Sequence, residues 1–148
     1  MKERVRAALL DGDDLVVFRR QRPGVPVYWA LPGGGVEPQD ADLVAALRRE
    51  LDEELKAVIA EPVLLTSRET PYADGKTPLQ HLYAARLISM DFDQRHGPEF
   101  SDPAKGEYAI DRIPLTKEAL ADCRLFPPEL ADYLREHADE VRRTIPPG

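Results

Sequence analysis

Short apolar runs separated by turn sequences make up the first 35 positions of the chain. Residues 5–10 and 15–18 are apolar and partly β-branched, and the segment between them reads Asp-Gly-Asp-Asp. This pattern predicts a β-hairpin. Residues 25–31 predict a further short strand, which is bounded by proline and glycine on both sides. Gly33, Gly34 and Gly35 follow it and predict a loop.

The hydrophobic period changes from residue 42 onward. Leu43, Leu47, Leu51 and Leu55 are spaced four apart, which is the spacing of an amphipathic helix. The pattern predicts a helix over residues 42–58, with an aspartate at position 40 or 42 as its N-cap.

Strand-like patterns return in the second half of the chain. Residues 63–70, 79–90 and 108–114 predict three strands, and the first two are joined by a turn at Asp74-Gly75. The polar segment 91–107 predicts a long loop.

Two further helices are predicted near the end of the sequence. A short one begins at Thr116, and a last one runs from Pro127 or Pro128 to about residue 143. Helices mixed with antiparallel hairpins predict the α/β class in its α+β form, with a mixed sheet.

The charge balance and the cysteine count exclude several classes of protein. The 148 residues include 20 lysines and arginines and 27 acids, a net charge of −7, so no nucleic acid polymer is expected as a partner. The one cysteine, Cys123, excludes an intrachain disulfide and a cysteine-based metal site. No stretch is apolar enough to span a membrane, and charges interrupt the first positions. We expect a cytoplasmic protein with a single domain over residues 1–148.

Acidic residues are concentrated on and before the predicted helix. Residues 37–54 hold seven acids and two arginines, a net charge of −5. At about 100° per residue, Glu54 falls inside the apolar stripe, Glu50 at its edge and Glu53 on a neighbouring site. Carboxylates crowded there repel one another and resist desolvation, and a bound cation removes both costs. Oxygen ligands without cysteine or histidine favour Mg²⁺ or Mn²⁺.

The same segment resembles the signature of a known family. Residues 49–54, Arg-Glu-Leu-Asp-Glu-Glu, match R-E-U-x-E-E of the Nudix box, in which U is a bulky aliphatic residue, and Gly35 matches its leading glycine. Residues 29–38 also resemble the approach to the box. The chain is thereby identified as a member of the Nudix hydrolases, and the resemblance implies a Nudix-like α/β/α sandwich with a mixed sheet.

Two positions depart from the box. Its first glutamate should fall at Ala41, between Asp40 and Asp42, and the sequence leaves open whether either aspartate replaces it. Its glycine should fall at Lys56, and Ala57 follows as a weak aliphatic residue. We therefore expect the helix to continue past its usual end.

The resemblance implies a Mg²⁺-dependent pyrophosphohydrolase that cleaves a nucleoside diphosphate linked to another group X. The implied metal ligands are Glu50, Glu53 and Glu54, and Arg49 is implied to orient the box carboxylates.

The proton acceptor for the attacking water is the least determined part of the site. It is either a box glutamate, for which we take Glu53, or an acid of the later polar segment. Glu107 and Glu99 are the candidates there.

Candidate substrate-binding residues precede the helix. Arginines can offset ligand phosphates, glycine amides can face them, and tyrosines can stack on a base. These candidates are Arg19, Arg20, Arg22, Tyr28, Gly34 and Gly35, with Trp29 and Tyr72 as further aromatic candidates. His81 alternates with apolar residues and is expected to pack rather than bind metal.

Alternatives to this function stay open. A Nudix-fold domain could bind or sense a nucleotide without turnover, or a metal-stabilised domain could serve a larger assembly, although the complete set of three carboxylates favours the hydrolase. The expected partner is a small nucleotide or nucleoside diphosphate derivative. Nucleoside triphosphates, ADP-ribose, nucleotide sugars and dinucleoside polyphosphates all fit. The oligomeric state is open too, with a homodimer as one option.

Overall fold

Strands and helices alternate in the computed structural model, which describes residues 2–91 and 107–145. The strands are β1 (Glu3–Asp11), β2 (Asp14–Gln21), β3 (Tyr28–Ala30), β4 (Gly33–Gly35), β5 (Val58–Ile59), β6 (Val63–Glu69), β7 (Leu79–Ser89), β8 (Glu107–Pro114) and β9 (Leu125–Phe126). The helices are α1 (Leu43–Leu55), α2 (Lys117–Ala121) and α3 (Pro128–Thr144).

A mixed sheet forms the centre of the structure. Its strands run in the order β5-β7-β1-β2-β3-β9, with β6 beside β7, β4 beside β1 and β8 beside β2. β1 and β2 form the predicted hairpin, in which Asp11 pairs with Asp14, whereas β1 and β7 are parallel. The predicted hairpin and mixed sheet are therefore confirmed.

Helices cover both faces of this sheet. Alternate residues of β1 point to opposite faces, so one set packs against α1 and the other against α2 and α3. This is the predicted α/β/α sandwich. Each fully buried leucine contributes about 1.5–3 kcal/mol to folding. The α1 side is built from Val5, Ala7, Leu9, Leu47, Leu51 and Leu55, and the α3 side from Ala8, Leu10, Leu130, Leu134 and Val141.

The N-terminus of α1 resolves the choice between the two aspartates. Asp42 is the N-cap, because its Oδ1 accepts a hydrogen bond from the amide of Ala45 at 2.8 Å. Asp40 lies outside the helix and binds Arg49 instead.

The C-terminus of α1 differs from the prediction. The helix ends at Leu55, because Lys56 adopts the left-handed conformation (φ 52°, ψ 40°) and its amide bonds back to the carbonyl of Asp52. The expectation that the helix continues to Val58 was wrong, since Val58 begins β5 and is 53% exposed. Lys56 thus adopts the conformation that glycine most readily adopts at this position of a helix.

The glycine triplet differs as well. It forms β4 rather than a loop, antiparallel to β1, with Gly34 opposite Val5. The third predicted strand is confined to the end of its range, at Tyr28–Ala30.

The later elements agree with the pattern. Strands β6 and β7 pair antiparallel, β8 begins one residue earlier than predicted, and α2 and α3 occupy the predicted positions. Most of the predicted loop, residues 92–106, lies outside the described residues. No helix within the described residues is both long and apolar enough to cross a membrane.

Candidate active site

The missing side chains of β4 bring α1 close to the sheet. A Cβ atom on Gly34 would lie 2.3 Å from Oε2 of Glu50, so any other residue there would displace that carboxylate. Gly33 has a φ of +144°, and a Cβ there would lie 2.0 Å from the carbonyl oxygen of Val5. Glycine is required at Gly33 by both its φ and its backbone contact, and at Gly34 it leaves room for the carboxylate of Glu50.

A backbone amide of β4 faces a carboxylate of the helix. Oε1 of Glu54 accepts a hydrogen bond from the amide of Gly33 at 2.8 Å. Glu50 and Glu54 are thus both fixed at β4, one against its backbone and the other bonded to it.

Arg49 connects α1 to the segment that precedes it. Its Nε and Nη2 donate to the two carboxylate oxygens of Asp40 at 2.8 and 2.9 Å, and Nη2 also donates to the carbonyl of Gly35 at 2.9 Å. Its Nη1 donates to Glu50 at 3.0 Å and to Glu53 at 3.3 Å. Two box carboxylates therefore share one guanidinium.

These contacts shift the ionisation of the acids in opposite directions. The hydrogen bonds from Arg49 lower the pKa of Asp40 to about 2, and the same pairing raises the pKa of Arg49. Burial raises the pKa of Glu50 and the charge of Glu53 adds to that effect, although Arg49 opposes it. Glu50 therefore carries its negative charge at a cost in the absence of a further cation.

A cleft of about 870 Å³ opens beside β4 and collects charges of both signs. Glu50 and Glu54 lie on its wall with the three glycines of β4. Thr70, Tyr72 and Glu129 are also among the lining residues. The described residues contribute five arginines to the lining, which are Arg4, Arg6, Arg20, Arg22 and Arg124.

Aromatic rings line another part of the cleft. Tyr28 and Phe126 meet edge to face with centroids 5.3 Å apart, and Phe18 meets Tyr108 in the same way at 5.6 Å. The guanidinium of Arg20 lies 3.7 Å from the ring centroid of Tyr108. This part of the cleft offers flat apolar surfaces and a cation to a planar ligand.

Several predicted site residues lie elsewhere. Arg19 and Trp29 pair across β2 and β3 on the face opposite Arg20, and both hydrogen bond with Asp111, at 3.2 and 2.8 Å. Neither lines the cleft.

The remaining acids and the histidine are distributed as follows. Glu53 does not line the cleft, and its side chain is 39% exposed. Glu107 begins β8, where its backbone pairs with Gln21, and Glu99 lies outside the described residues. His81 is buried and lies 2.7 Å from both Ser67 Oγ and Glu3 Oε2.

Comparison with known proteins decides the family. A family model described as "NUDIX domain" matches residues 1–146. The chain belongs to the Nudix family. It is a Nudix-type hydrolase, an enzyme that acts on phosphate anhydrides.

Named relatives and solved structures agree with this assignment. "Nucleoside triphosphatase NudI" of Escherichia coli O81 is 39% identical over a 109-residue alignment that covers 64% of this chain and 72% of that protein. The Escherichia coli O1:K1 protein of the same name is 37% identical, and the alignment again covers 64% of this chain and 72% of that protein.

Solved Nudix structures share the fold at low sequence identity. A NUDIX hydrolase from Nitrosomonas europaea has a TM-score of 0.68 at 19% identity, covering 97% of this chain and 88% of that one. A MutT NUDIX hydrolase from Burkholderia pseudomallei has a TM-score of 0.65 at 21% identity, covering 91% and 95%.

The carboxylates of this Nudix box suit a divalent metal in their chemistry. Among residues 2–91 and 107–145, no three acidic, histidine or cysteine side chains converge in a geometry that could hold an ion, because Glu50 and Glu53 face Arg49 and Glu54 faces Gly33. The donors are nevertheless all carboxylate oxygens, and the charge of Glu50 is destabilised by its burial. Both properties fit a hard cation such as Mg²⁺.

Sequence reasoning missed part of the cleft. Arg4, Arg6 and Arg124 line it, yet no motif contains them. Gln80, which bonds to Arg6, could have been noticed as a polar residue in the apolar strand β7. It is fully buried, and a buried polar side chain requires a hydrogen-bond partner.

Proposed function

We propose that this Nudix hydrolase is a Mg²⁺-dependent pyrophosphohydrolase of nucleotides, with nucleoside triphosphates as its first substrate class. One observation carries the proposal. Two of the three box glutamates, five arginines and several aromatic rings line a single cleft whose volume suits a nucleotide. Carboxylates for a metal, guanidinium groups for phosphates and rings for a base are therefore available to one ligand.

Each part of the cleft has a task in this proposal. Glu50, Glu53 and Glu54 would hold the metal, which when bound supplies charge against the phosphates and acidifies a water molecule for in-line attack. Arg49 keeps the carboxylates of Glu50 and Glu53 oriented through its hydrogen bonds. Because β4 lacks side chains, it leaves room for the metal-binding carboxylate of Glu50 at Gly34 and for a phosphate beside Arg4 at Gly35.

The outer part of the cleft would hold the nucleoside. Arg20 and Arg22 can offset the negative charge of the phosphates, and Tyr28 presents a ring to the base. Arg19 is the weakest of the predicted substrate contacts, because its guanidinium is paired with Asp111 on the opposite face of the sheet.

Three acids are proposed as alternative proton acceptors for the attacking water. Glu107 precedes Tyr108, whose ring lines the cleft, so its position along β8 is adjacent to the site. Glu53 bonds to the same guanidinium as Glu50. Glu99 is proposed from the sequence alone.

The choice of nucleoside triphosphates rests on the relatives. The curated proteins that this chain resembles carry the name nucleoside triphosphatase. A triphosphate also suits a cleft with this many arginines, since each guanidinium can form two hydrogen bonds with phosphate oxygens.

A panel of nucleotides tests the function. The purified chain with Mg²⁺ is offered nucleoside triphosphates, ADP-ribose, nucleotide sugars and dinucleoside polyphosphates, and release of nucleoside monophosphate, pyrophosphate and phosphate is measured. We expect turnover of nucleoside triphosphates, lost in EDTA and in the double variant Glu53→Gln, Glu54→Gln.

Other outcomes of the panel would change the proposal. Turnover of ADP-ribose or nucleotide sugars alone would show that the substrate class is wrong and the chemistry right. Saturable binding of nucleotides without release of any product would favour the alternative, a nucleotide-binding Nudix domain without turnover.

A further inference from the structure

Two arginines of β1 lie side by side in the cleft, directly against β4. Arg6 pairs with Gly33 and Arg4 with Gly35 in the antiparallel ladder. A Cβ on Gly35 would lie 4.0 Å from Nη1 of Arg4. The two positive charges therefore lie beside the strand that contacts Glu50 and Glu54.

The carboxylate of Glu54 already offsets part of the positive charge of these arginines, and an anion bound in the cleft would offset more. Burial and the charge of Arg4 lower the pKa of Arg6, whereas Tyr72 and Glu54 act in the opposite direction. The buried Nε of Arg4 has no hydrogen-bond partner among the described residues. An acceptor placed in the cleft would satisfy that donor and offset both charges.

Buried hydrogen bonds hold the guanidinium of Arg6 in one orientation. Its Nε donates to Oε1 of Gln80 at 2.8 Å, and its Nη1 donates to the carbonyl of Leu31 at 2.9 Å. Arg6 also hydrogen bonds with the side chain of Tyr72. Of the five guanidinium hydrogens, these three contacts leave two for a ligand in the cleft, which Arg6 lines.

Gln80 also connects Arg6 to the opposite wall. Its amide nitrogen donates to Thr70 Oγ1 at 2.7 Å and to the hydroxyl of Tyr72 at 3.2 Å. Gln80 and Thr70 are buried, at 0% and 1% exposure, in a row of β7 that is otherwise core. A fully bonded polar network of this kind fixes geometry that an apolar residue could not.

We infer that Arg4 and Arg6 form a polyphosphate-binding site in the cleft and that Gln80 is the positioning residue that orients Arg6 toward it. The inference rests on the proposed function, in that the phosphates of a nucleotide are its natural ligand. If such a polyphosphate carried a metal ion, the metal would contact the carboxylates of α1. The remaining negative charge of the phosphates would contact these two arginines.

Inorganic tripolyphosphate tests the site without catalysis. Its affinity for the full chain is measured by isothermal titration calorimetry in EDTA at low salt, so that neither metal nor turnover contributes. We expect Arg6→Gln to weaken binding by about tenfold or more, the value of hydrogen bonds to a charged group. Arg6→Lys keeps the positive charge but not the planar set of guanidinium donors, so its affinity should lie between those of the wild type and Arg6→Gln.

Arg112→Gln is the matched control. Arg112 lies on β8, bonds to Asp11 at 3.0 Å and does not line the cleft, so its removal changes the net charge equally. Equal losses in Arg6→Gln and Arg112→Gln would overturn the inference, since the effect would then be one of overall charge. Undetectable binding by the wild-type chain would overturn it too.

Gln80→Leu separates positioning from packing. Leucine fills a similar volume but removes the acceptor for Nε of Arg6. If Gln80 acts through Arg6, Gln80→Leu should weaken tripolyphosphate binding about tenfold in the wild-type background and have little further effect in Arg6→Gln. Equal losses in both backgrounds, or wild-type affinity in Gln80→Leu, would overturn the positioning role.

The outcomes also separate this inference from the proposed function. If the chain hydrolyses no nucleotide but binds tripolyphosphate in a way that depends on Arg6, the proposed function is wrong and the polyphosphate-binding site is supported. Nucleotide turnover with affinity unchanged in Arg6→Gln would do the reverse.

Discussion

The carboxylates of α1 have different surroundings although they lie within about one turn of each other. Glu54 is bonded to the amide of Gly33, and Glu50 lies against Gly34 with a side chain 13% exposed. Glu53 is more exposed and turns toward Arg49. The same residue type therefore has three different electrostatic environments on one helix.

Substituting the box glutamates should separate activity from folding. Glu53→Gln and Glu54→Gln should each lower kcat by more than about tenfold, because glutamine keeps the shape but not the charge that a metal requires. Asp52→Asn is the matched control, since the side chain of Asp52 is 51% exposed and its carboxylate pairs only with Lys56 among the contacts of the described residues. Wild-type rates in both glutamate variants under limiting Mg²⁺ would contradict the ligand assignment.

Glu50→Gln should stabilise the metal-free protein at neutral pH. Burial raises the pKa of Glu50, so the folded state disfavours its charge, and this cost appears as the pH rises above the ordinary value of 4.5. The melting temperature in EDTA should therefore be higher in Glu50→Gln than in the wild type at pH 7, and the difference should shrink near pH 4. A lower melting temperature at pH 7 would show that the bond to Arg49 outweighs the burial.

At the scale of single elements, the end of α1 is the most informative case. Asp42 caps its start, and Lys56 ends it in the left-handed region, where a non-glycine residue is strained. The box has glycine at this position, and the chain keeps the helix end without it.

Lys56→Gly should stabilise the protein. Glycine removes the Cβ strain at φ 52°, a gain of up to about 1 kcal/mol that corresponds to about 2–4 °C in melting temperature for a domain of this size. Lys56→Ala is the control, because it also loses the ion pair with Asp52 yet keeps a Cβ in the same conformation. Equal melting temperatures for the two variants would exclude a backbone effect.

The segment that leads into β8 carries the prediction about the proton acceptor. If Glu107 accepts the proton, Glu107→Gln should lower kcat by about 10²–10⁴ with little change in Mg²⁺ affinity. If Glu99 does, the effect should move to Glu99→Gln. Rates within a few-fold of wild type in both variants would leave Glu53 as the candidate.

At the scale of the whole molecule, the cleft brings carboxylates and guanidinium groups together beside one strand, β4. Helix α1 contributes carboxylates and β1 contributes arginines, and both sets meet at β4 because that strand has no side chains. A metal complex of a polyphosphate would neutralise both sets together.

Mg²⁺ should therefore stabilise the whole fold. A ligand that binds only the native state adds about 2.7 kcal/mol at a concentration of 100 Kd, so the melting temperature in millimolar Mg²⁺ should exceed that in EDTA by several degrees. The triple variant Glu50→Gln, Glu53→Gln, Glu54→Gln should show no such shift. No shift with either Mg²⁺ or Mn²⁺ in the wild type would count against the metal site.

The sequence by itself determined the elements whose signals are local. The hairpin of β1 and β2, helix α1, strands β6 and β7 and helix α3 follow from hydrophobic periods and from turn residues within a few positions. The Nudix box is equally local, because residues 49–54 lie on a single helix and their spacing alone places three carboxylates on neighbouring sites.

Only the tertiary structure decided which residues share the cleft. Arg6 meets Gln80 across 74 positions because β1 and β7 pair in parallel, and no local pattern encodes that partner. The period of two along β2 places Arg19 and Arg20 on opposite faces, but only the tertiary structure decided that the face of Arg20 carries the cleft. The glycine triplet is another case, because it forms a strand only by pairing with the distant backbone of β1. Periodicity is a property of neighbours along the chain, whereas a binding site depends on strand register, which is fixed by pairing between distant segments.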